Sequence, residues 1–286
     1  MKSLVMSVAL ALLLCTWAGA ESSVWKIQKG TSVMYLGGTS HILRESDFPL
    51  PPEFSRAYKA SKLLVFETDV AKIKDPATQQ KLLTRATYAD GSTIDKHLSA
   101  QAYSELSAFC QENGIPLAAV NRFRPALLIS ALTVMELAKA GVNQQGVDHF
   151  FYNQAIKDKK AVAGLETVDE QIEYIVTMAD GHEDEFVTFS IKDMKSVTAQ
   201  FAALAAAWRA GDTKKLDELM VADLKTRHPD LYRKLITDRN QNWLPMIDGF
   251  QKSSKTTFIL VGVAHLVGPD GLIESLKKLG YTVDKL

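Results

Sequence analysis

Two stretches at opposite ends of the chain carry the same arrangement. Val33-Met34-Tyr35-Leu36 leads through Gly37 into Gly38-Thr39-Ser40-His41, and Thr257-Phe258-Ile259-Leu260-Val261 leads into Gly262-Val263-Ala264-His265. Each is an apolar run followed by Gly-x-x-His with small residues between. Glycine at a strand end allows a sharp turn or a close backbone approach, and in open α/β sheets ligands bind beyond the carboxyl ends of the strands. Two imidazoles delivered to one such rim can converge on a divalent ion, for which neutral His is the commonest ligand. Glu67, closing the run Leu63-Leu64-Val65-Phe66, supplies a third donor. Two His and one carboxylate leave positions open for water and substrate, and an ion so held lowers the pKa of its water and polarises a carbonyl. Taken singly, a His at a strand end is usually a structural hydrogen-bonding residue, and Glu67 could pair with a nearby lysine at the surface. The recurrence of the pattern is what selects these three.

Other groups carry less. Gly181-His182-Glu183-Asp184-Glu185 has ligand chemistry, but an acidic run opening a helix is ordinarily a solvated first turn favoured by the macrodipole. His97, His149 and His228 lie in or beside helical patterns and read as surface or packing residues. The chain has no His-Glu-x-x-His, no Gly-x-Ser-x-Gly, no P-loop and no Gly-x-Gly-x-x-Gly, which weakens zincin, α/β-hydrolase, P-loop and Rossmann readings.

The elements that must position these residues follow from periodicity. Val24 to Gln28 and Ser32 to Gly37, joined at Lys29-Gly30, read as a β-hairpin. Leu63 to Glu67 and Thr256 to Gly262 are short continuous apolar runs, as strands buried on both faces are. Pro52 to Ala60 reads as a helix, and amphipathic spacing marks helices at Pro76 to Tyr88, Ile94 to Glu112, Pro125 to Ala140 and Val147 to Lys157. Lys160 to Leu165 is a further strand. Helices resume from Val168 through Phe250, broken at Gly211-Asp212 and His228-Pro229-Asp230, before a helix at Gly271 to Leu279 and a closing strand at Tyr281 to Val283. The fold class is therefore α/β (α+β): a mixed central sheet built from N- and C-terminal strands, with a large helical middle region packing on it or capping it. No Pro- or Ser-rich linker interrupts residues 21–286, which reads as one domain.

Composition bounds the rest. Of 286 residues, 47% are hydrophobic and 23% charged, with 33 basic side chains against 33 acidic ones. That excludes a disordered or collagen-like chain, and the balance lacks the basic footprint of a nucleic-acid binder. Residues 1–20 have the grammar of a cleavable secretory signal: Lys2, an apolar run from Leu4 to Trp17, and Ala18-Gly19-Ala20. A periplasmic or secreted protein without stable membrane insertion is expected. Cleavage after Ala20 leaves 32 basic and 33 acidic side chains and a single cysteine, Cys110, which cannot form an internal disulfide and reads as a small buried hydrophobe.

The two Gly-x-x-His elements, with Phe66-Glu67-Thr68-Asp69 between them, resemble the TraB/GumN (TraB/PrgY/GumN) family, related to the TIKI metalloproteases. Trp25-Lys26-Ile27, Gly146-Val147-Asp148, Gly164-Leu165-Glu166-Thr167 with Glu170-Gln171, Asp238-Arg239-Asn240 and His265 to Leu272 with Gly280-Tyr281-Thr282-Val283 extend the resemblance in order over nearly the whole chain. The resemblance implies a fold shared with erythromycin-esterase-like and ChaN-like proteins, and a site in which His41, Glu67 and His265 hold a divalent metal ion, manganese or cobalt. It also implies supporting or substrate-contacting roles for Glu166 and Arg239. The reading is a metal-dependent hydrolase acting on a peptide or small-molecule substrate, with Glu67 or Glu166 carrying the proton. Its rivals are a non-catalytic protein binding haem or a metal complex, and an accessory protein of surface-polysaccharide or conjugation-related processes.

Overall fold

The apolar runs read as buried strands occupy the centre of a sheet. The computed structural model describes residues 22–253 and 255–286, so the expected leader over residues 1–20 lies outside the described residues. In chain order the strands are β1 (Val24–Lys29), β2 (Ser32–Thr39), β3 (Ile42–Arg44), β4 (Leu63–Phe66), β5 (Val142–Gln145), β6 (Ala161–Gly164), β7 (Thr257–Gly262) and β8 (Thr282–Lys285). Six of them form one mixed sheet in the order β6-β4-β7-β2-β1-β8. β6, β4, β7 and β2 run parallel, and β1 lies antiparallel between β2 and β8. The two ends of the chain therefore meet, with Ile27 opposite Val283.

Every residue of the central strand β7 is buried, which explains why its sequence is apolar from Phe258 to Gly262. Register matters more for function. Thr39 of β2 pairs with Gly262 of β7, Phe66 of β4 with Leu260 of β7, and Phe66 with Gly164 of β6. Four adjacent parallel strands thus end along one rim. Against the sheet pack Phe54 from the helix Pro52–Ala60, Phe151 from the helix Val147–Lys157 and Trp208 from the helix Val197–Ala210, with ring centroids 5.7 to 6.4 Å from Phe54 or from Phe258 of β7. The Trp208 indole N–H donates to the Gly38 carbonyl at 2.7 Å and ties a helix to the end of β2. Burying rings of this size supplies much of the sheet's apolar packing.

The helical middle has a cluster of its own. Leu106, Phe109 and Cys110 from the helix Ala100–Glu112 pack with Leu128, Ile129 and Leu132 from Pro125–Lys139 and with Val187, Ile191 and Met194 from Glu183–Met194. Cys110 is buried there, as its apolar neighbours in the sequence imply. The breaks at Gly211 and His228 are present, and Gly211 closes its helix in the left-handed conformation while Asp212 accepts from Lys215 N to start the next.

Two local expectations are corrected, and one element is additional. Ile94–Lys96 is an isolated 3₁₀ turn and the following helix starts at Ala100, because the Ser99 hydroxyl accepts from Ala102 N and caps it. Arg233–Thr237 is a π-helical turn leading directly into the helix Asp238–Phe250, a local irregularity that side-chain periodicity does not register. A second, two-stranded sheet, β3 with β5, was not foreseen, since Ile42–Arg44 is three residues long and Val142–Gln145 is mostly exposed and polar. That small sheet brings Gly146 against the His41 turn: Gly146 N donates to His41 O at 2.9 Å and Val147 N to Ser40 O at 3.0 Å.

The contact leaves no room for a side chain. A Cβ on Gly146 would stand 1.9 Å from Ser40 O, so Gly146→Ala is expected to lower the unfolding free energy by about 1–3 kcal/mol through overpacking. Gly249, within the helix Asp238–Phe250, has nothing within 4 Å of its Cβ position, and Gly249→Ala should instead stabilise by roughly 0.5–1 kcal/mol. Urea denaturation of the two variants checks both signs.

Candidate functional site

The rim where four parallel strands end carries a titratable side chain after each of them. His41 stands two residues past β2, Glu67 one past β4, Glu166 two past β6 and His265 three past β7. Backbone bonds tie the turns together, with Leu165 N donating to Phe66 O at 3.0 Å and Glu166 N to Glu67 O at 2.8 Å. The flanking residues of each motif start the next helix. The Asp69 carboxylate accepts from Ala71 N and Lys72 N, and Thr167 with Glu170 forms a capping box. Glu166 is thereby spared for another role.

That role is to hold Arg239, which enters from the first turn of the helix Asp238–Phe250. A guanidinium offers five N–H donors, and all of Arg239's are engaged. Nε donates to Glu166 Oε2 at 3.0 Å, Nη2 to Glu166 Oε1 and to Glu67 Oε2 at 2.7 Å each, and Nη1 to His265 Nε2 at 2.9 Å and to Leu235 O at 3.4 Å. The guanidinium also lies 4.7 Å from the Trp243 ring centre and 5.4 Å from that of Tyr174. Arg239, Glu67, Glu166 and His265 are all buried or nearly so, with side chains 5 to 10% exposed.

The next residue completes the cage. Asn240 Nδ2 donates to the carbonyls of His265 and Asp270, leaving its Oδ1 to accept from His265 Nδ1 at 2.9 Å. The tautomer of His265 follows: the proton sits on Nδ1 and the Nε2 lone pair faces Arg239. Burial holds this imidazole neutral, with its pKa down to about 3. For Glu67, burial alone would raise the pKa, but positive charge nearby and the Gly262 N–H, 2.7 Å from Oε1, outweigh it and keep the group ionised. With His265 neutral, Arg239 is the main source of that charge. Burial pushes Glu166 up while Arg239 opposes it.

His41 is the exception. Its ring is 65% exposed, its Nδ1 is 2.9 Å from Asp148 Oδ2, and Asp148 itself is 13% exposed on the first turn of the helix Val147–Lys157. The Asp148 carboxylate raises the His41 pKa to about 9. Nδ1–H faces the carboxylate and Nε2 is left free. A Cβ placed on Gly262 would lie 3.5 Å from that Nε2 and 3.1 Å from Glu67 Oε1, so the two groups border one atom-sized space above the end of β7.

The five side chains expected from the sequence therefore come together, but in different capacities. Glu166, Arg239 and His265 have every strong hydrogen-bonding group committed to one another or to Glu67, Asn240 and Leu235. Only His41, through its Nε2, keeps a ring nitrogen turned to open space, and Glu67, whose oxygens accept from Arg239 and from Gly262 N, borders that space. Asp148 and Asn240 stood in recognised motifs without assigned roles; nothing in their spacing reveals that one faces His41 and the other His265. A resident divalent ion needs open lone pairs on its ligands. Here the cation between Glu67 and His265 is the guanidinium, and among the described residues no group of three His, Cys, Asp or Glu side chains is placed to hold a metal ion. The residues present do not fit the expected ion.

Two clefts open onto this space. One, of about 410 Å³, is walled by Val70, Ile73, Tyr174, Ile175 and Met178. The other, of about 440 Å³, is walled by Leu137, Phe201, Leu204, Trp208 and Met220. Both include His41, Glu67 and Arg239 in their lining. Among the described residues no helix is long and apolar enough to cross a membrane.

Compared with known proteins, a family model described as TraB/PrgY/gumN family matches residues 23–285. No curated protein and no solved structure matches the chain.

Removing one member of a buried charge cluster strands the others at a cost of about 3–5 kcal/mol. Arg239→Met is expected to destabilise by that amount, and adding Glu67→Gln and Glu166→Gln to it should restore much of the loss; guanidinium unfolding of the single and triple variants measures both. The His41 imidazole should titrate in NMR well above an ordinary histidine, and Asp148→Asn should bring it back to the usual range. Because the folded pKa lies above the unfolded one, the stability this pair contributes is full below about pH 6.5 and is lost as pH rises through about 9.

Proposed function

The chain belongs to the TraB/PrgY/gumN family, and from its rim of strand-end groups we propose that it is a hydrolase in which His41 activates water beside Glu67, with a peptide bond as the bond cleaved. The observation that carries this reading is the pairing of a free, exposed His41 Nε2 with an Asp148 carboxylate on Nδ1. Such a carboxylate fixes the tautomer and stabilises the imidazolium that forms when the ring takes a proton. In the proposed step, Nε2 takes a proton from water, the water oxygen bonds to the substrate carbonyl carbon, and the imidazolium then gives that proton to the departing amine nitrogen as the C–N bond breaks. Atoms and charge balance without an added reactant. The ionised Glu67 carboxylate borders the same space, where it holds the water and favours the imidazolium.

Arg239 acts here as a positioning group. With all five donors engaged it has none to offer a substrate, and its charge keeps Glu67 ionised where burial would protonate it. The divalent-ion mechanism expected from the family resemblance competes with this one, and the fit of the donor set disfavours it.

Internally quenched peptides provide the assay. His41→Gln should lower kcat by about 10²- to 10⁴-fold, with the far-UV circular dichroism of the folded protein retained. The wild-type rate should climb as pH rises through the elevated His41 pKa, since only the neutral ring can accept a proton, and Asp148→Asn should move that limb to lower pH. Dialysis against a chelator should leave the rate intact. Activity lost on chelation and restored by Mn²⁺ would replace this mechanism with the metal-dependent one, and full activity in His41→Gln would remove the catalytic reading.

A further inference from the structure

The two clefts that meet at His41 and Glu67 are alike in one respect. Apart from the shared cluster, the cleft walled by Phe201 and Trp208 is lined by no charged side chain. The other cleft adds Asp148, already committed to His41, and His149, which burial holds neutral. A free chain terminus bound beside the cleaved bond needs a counter-charge, an Arg or Lys for a carboxylate or an acid for an ammonium. Arg239 is saturated, and no other such group lines either cleft.

Polar groups of a different kind are present. Thr39 lines the Phe201 side and Thr68 the Tyr174 side, both are 2% exposed, and the hydroxyl of each finds no hydrogen-bond partner among the described residues. A buried hydroxyl without a partner is costly, and these two add neutral polar character beside the clefts without adding charge. Apolar volume without a free counter-charge thus lies in both clefts beside one reactive pair.

We propose that the substrate is an internal segment of a polypeptide that crosses the His41–Glu67 pair, with a large apolar side chain next to the cleaved bond seated in the cleft formed by Leu137, Phe201, Leu204, Trp208 and Met220. The inference rests on the hydrolase reading and adds to it the position of the bond and the character of the flanking residue. The walls of that cleft come from the helices Pro125–Lys139, Val197–Ala210 and Thr213–Met220, so the middle of the chain sets selectivity while the sheet supplies the chemistry.

The test uses the full-length mature chain and a set of internally quenched decapeptides that differ only at one central position, Phe, Leu, Ala, Asp or Lys, each made with free and with acetylated and amidated ends. Peptides with Phe or Leu should be cut with kcat/KM at least about tenfold above Asp or Lys, and blocking the ends should leave kcat/KM within about twofold. Leu204→Trp, which fills the cleft, should raise KM for the Phe peptide far more than for the Ala peptide. Met220→Ala, which enlarges it, should move the preference towards the larger side chain and covers the case in which Leu204→Trp fails to fold. A requirement for a free end, or equal rates across the central residues with both variants unchanged, overturns this inference while leaving the hydrolase reading standing. No cleavage of any peptide removes both.

Discussion

A buried guanidinium between two buried carboxylates is the interaction on which the site depends. Glu67 and Glu166 sit one and two residues beyond neighbouring strands, joined by a backbone bond of 2.8 Å, so their charges are forced together at low exposure. Like charges so placed cannot both ionise without a cation. Arg239 supplies it with planar, multiply bonded geometry that a lysine cannot reproduce. The cost of desolvating three charged groups makes such a cluster weak evidence for stability as such; its effect is to define where each member stands. Because Arg239 also donates to His265, the same guanidinium sets the tautomer of a histidine that arrives from the far end of the sequence.

Saturation separates the groups that hold the site from those that can act. Arg239 has no spare donor, Glu166 has both oxygens engaged, and His265 has both ring nitrogens engaged. His41 differs because it lies at the edge of the cluster, where β3 and β5 bring the start of the helix Val147–Lys157 alongside it. The small sheet and Gly146 are thus mechanical parts. They aim Asp148 at Nδ1 and leave Nε2 facing the clefts. The π-helical turn before Arg239 sits where the helix must present two consecutive side chains, Arg239 and Asn240, to different partners, consistent with the frequent occurrence of such turns at functional sites.

Much of this was legible in the linear chain. The strands β1, β2, β4, β6, β7 and β8 announce themselves by apolar runs and a Gly-containing turn, and the rule that parallel strands gather ligands at their carboxyl ends singled out His41, Glu67 and His265. The motif resemblance added Glu166 and Arg239. Harder to see were β3 and β5, where a three-residue strand pairs with a polar one and neither has a period to detect. Equally hidden were Asp148 and Asn240, since a single Asp or Asn on a helix has the same local signature whether it faces solvent or a histidine.

The residue types alone therefore determined the fold class, the strands that end at the rim and three of the side chains gathered there, His41, Glu67 and His265, because burial on both faces and turns after strands leave marks in local composition; Glu166 and Arg239 came from the motif resemblance. Tertiary structure decided what those side chains are to one another. Whether Glu67 and His265 offer their lone pairs to a metal ion or to a guanidinium depends on a helix 172 residues from Glu67 arriving at one angle, and hydrogen-bond valence, once that helix is in place, leaves no choice: each donor and acceptor is used once, and what remains free is His41.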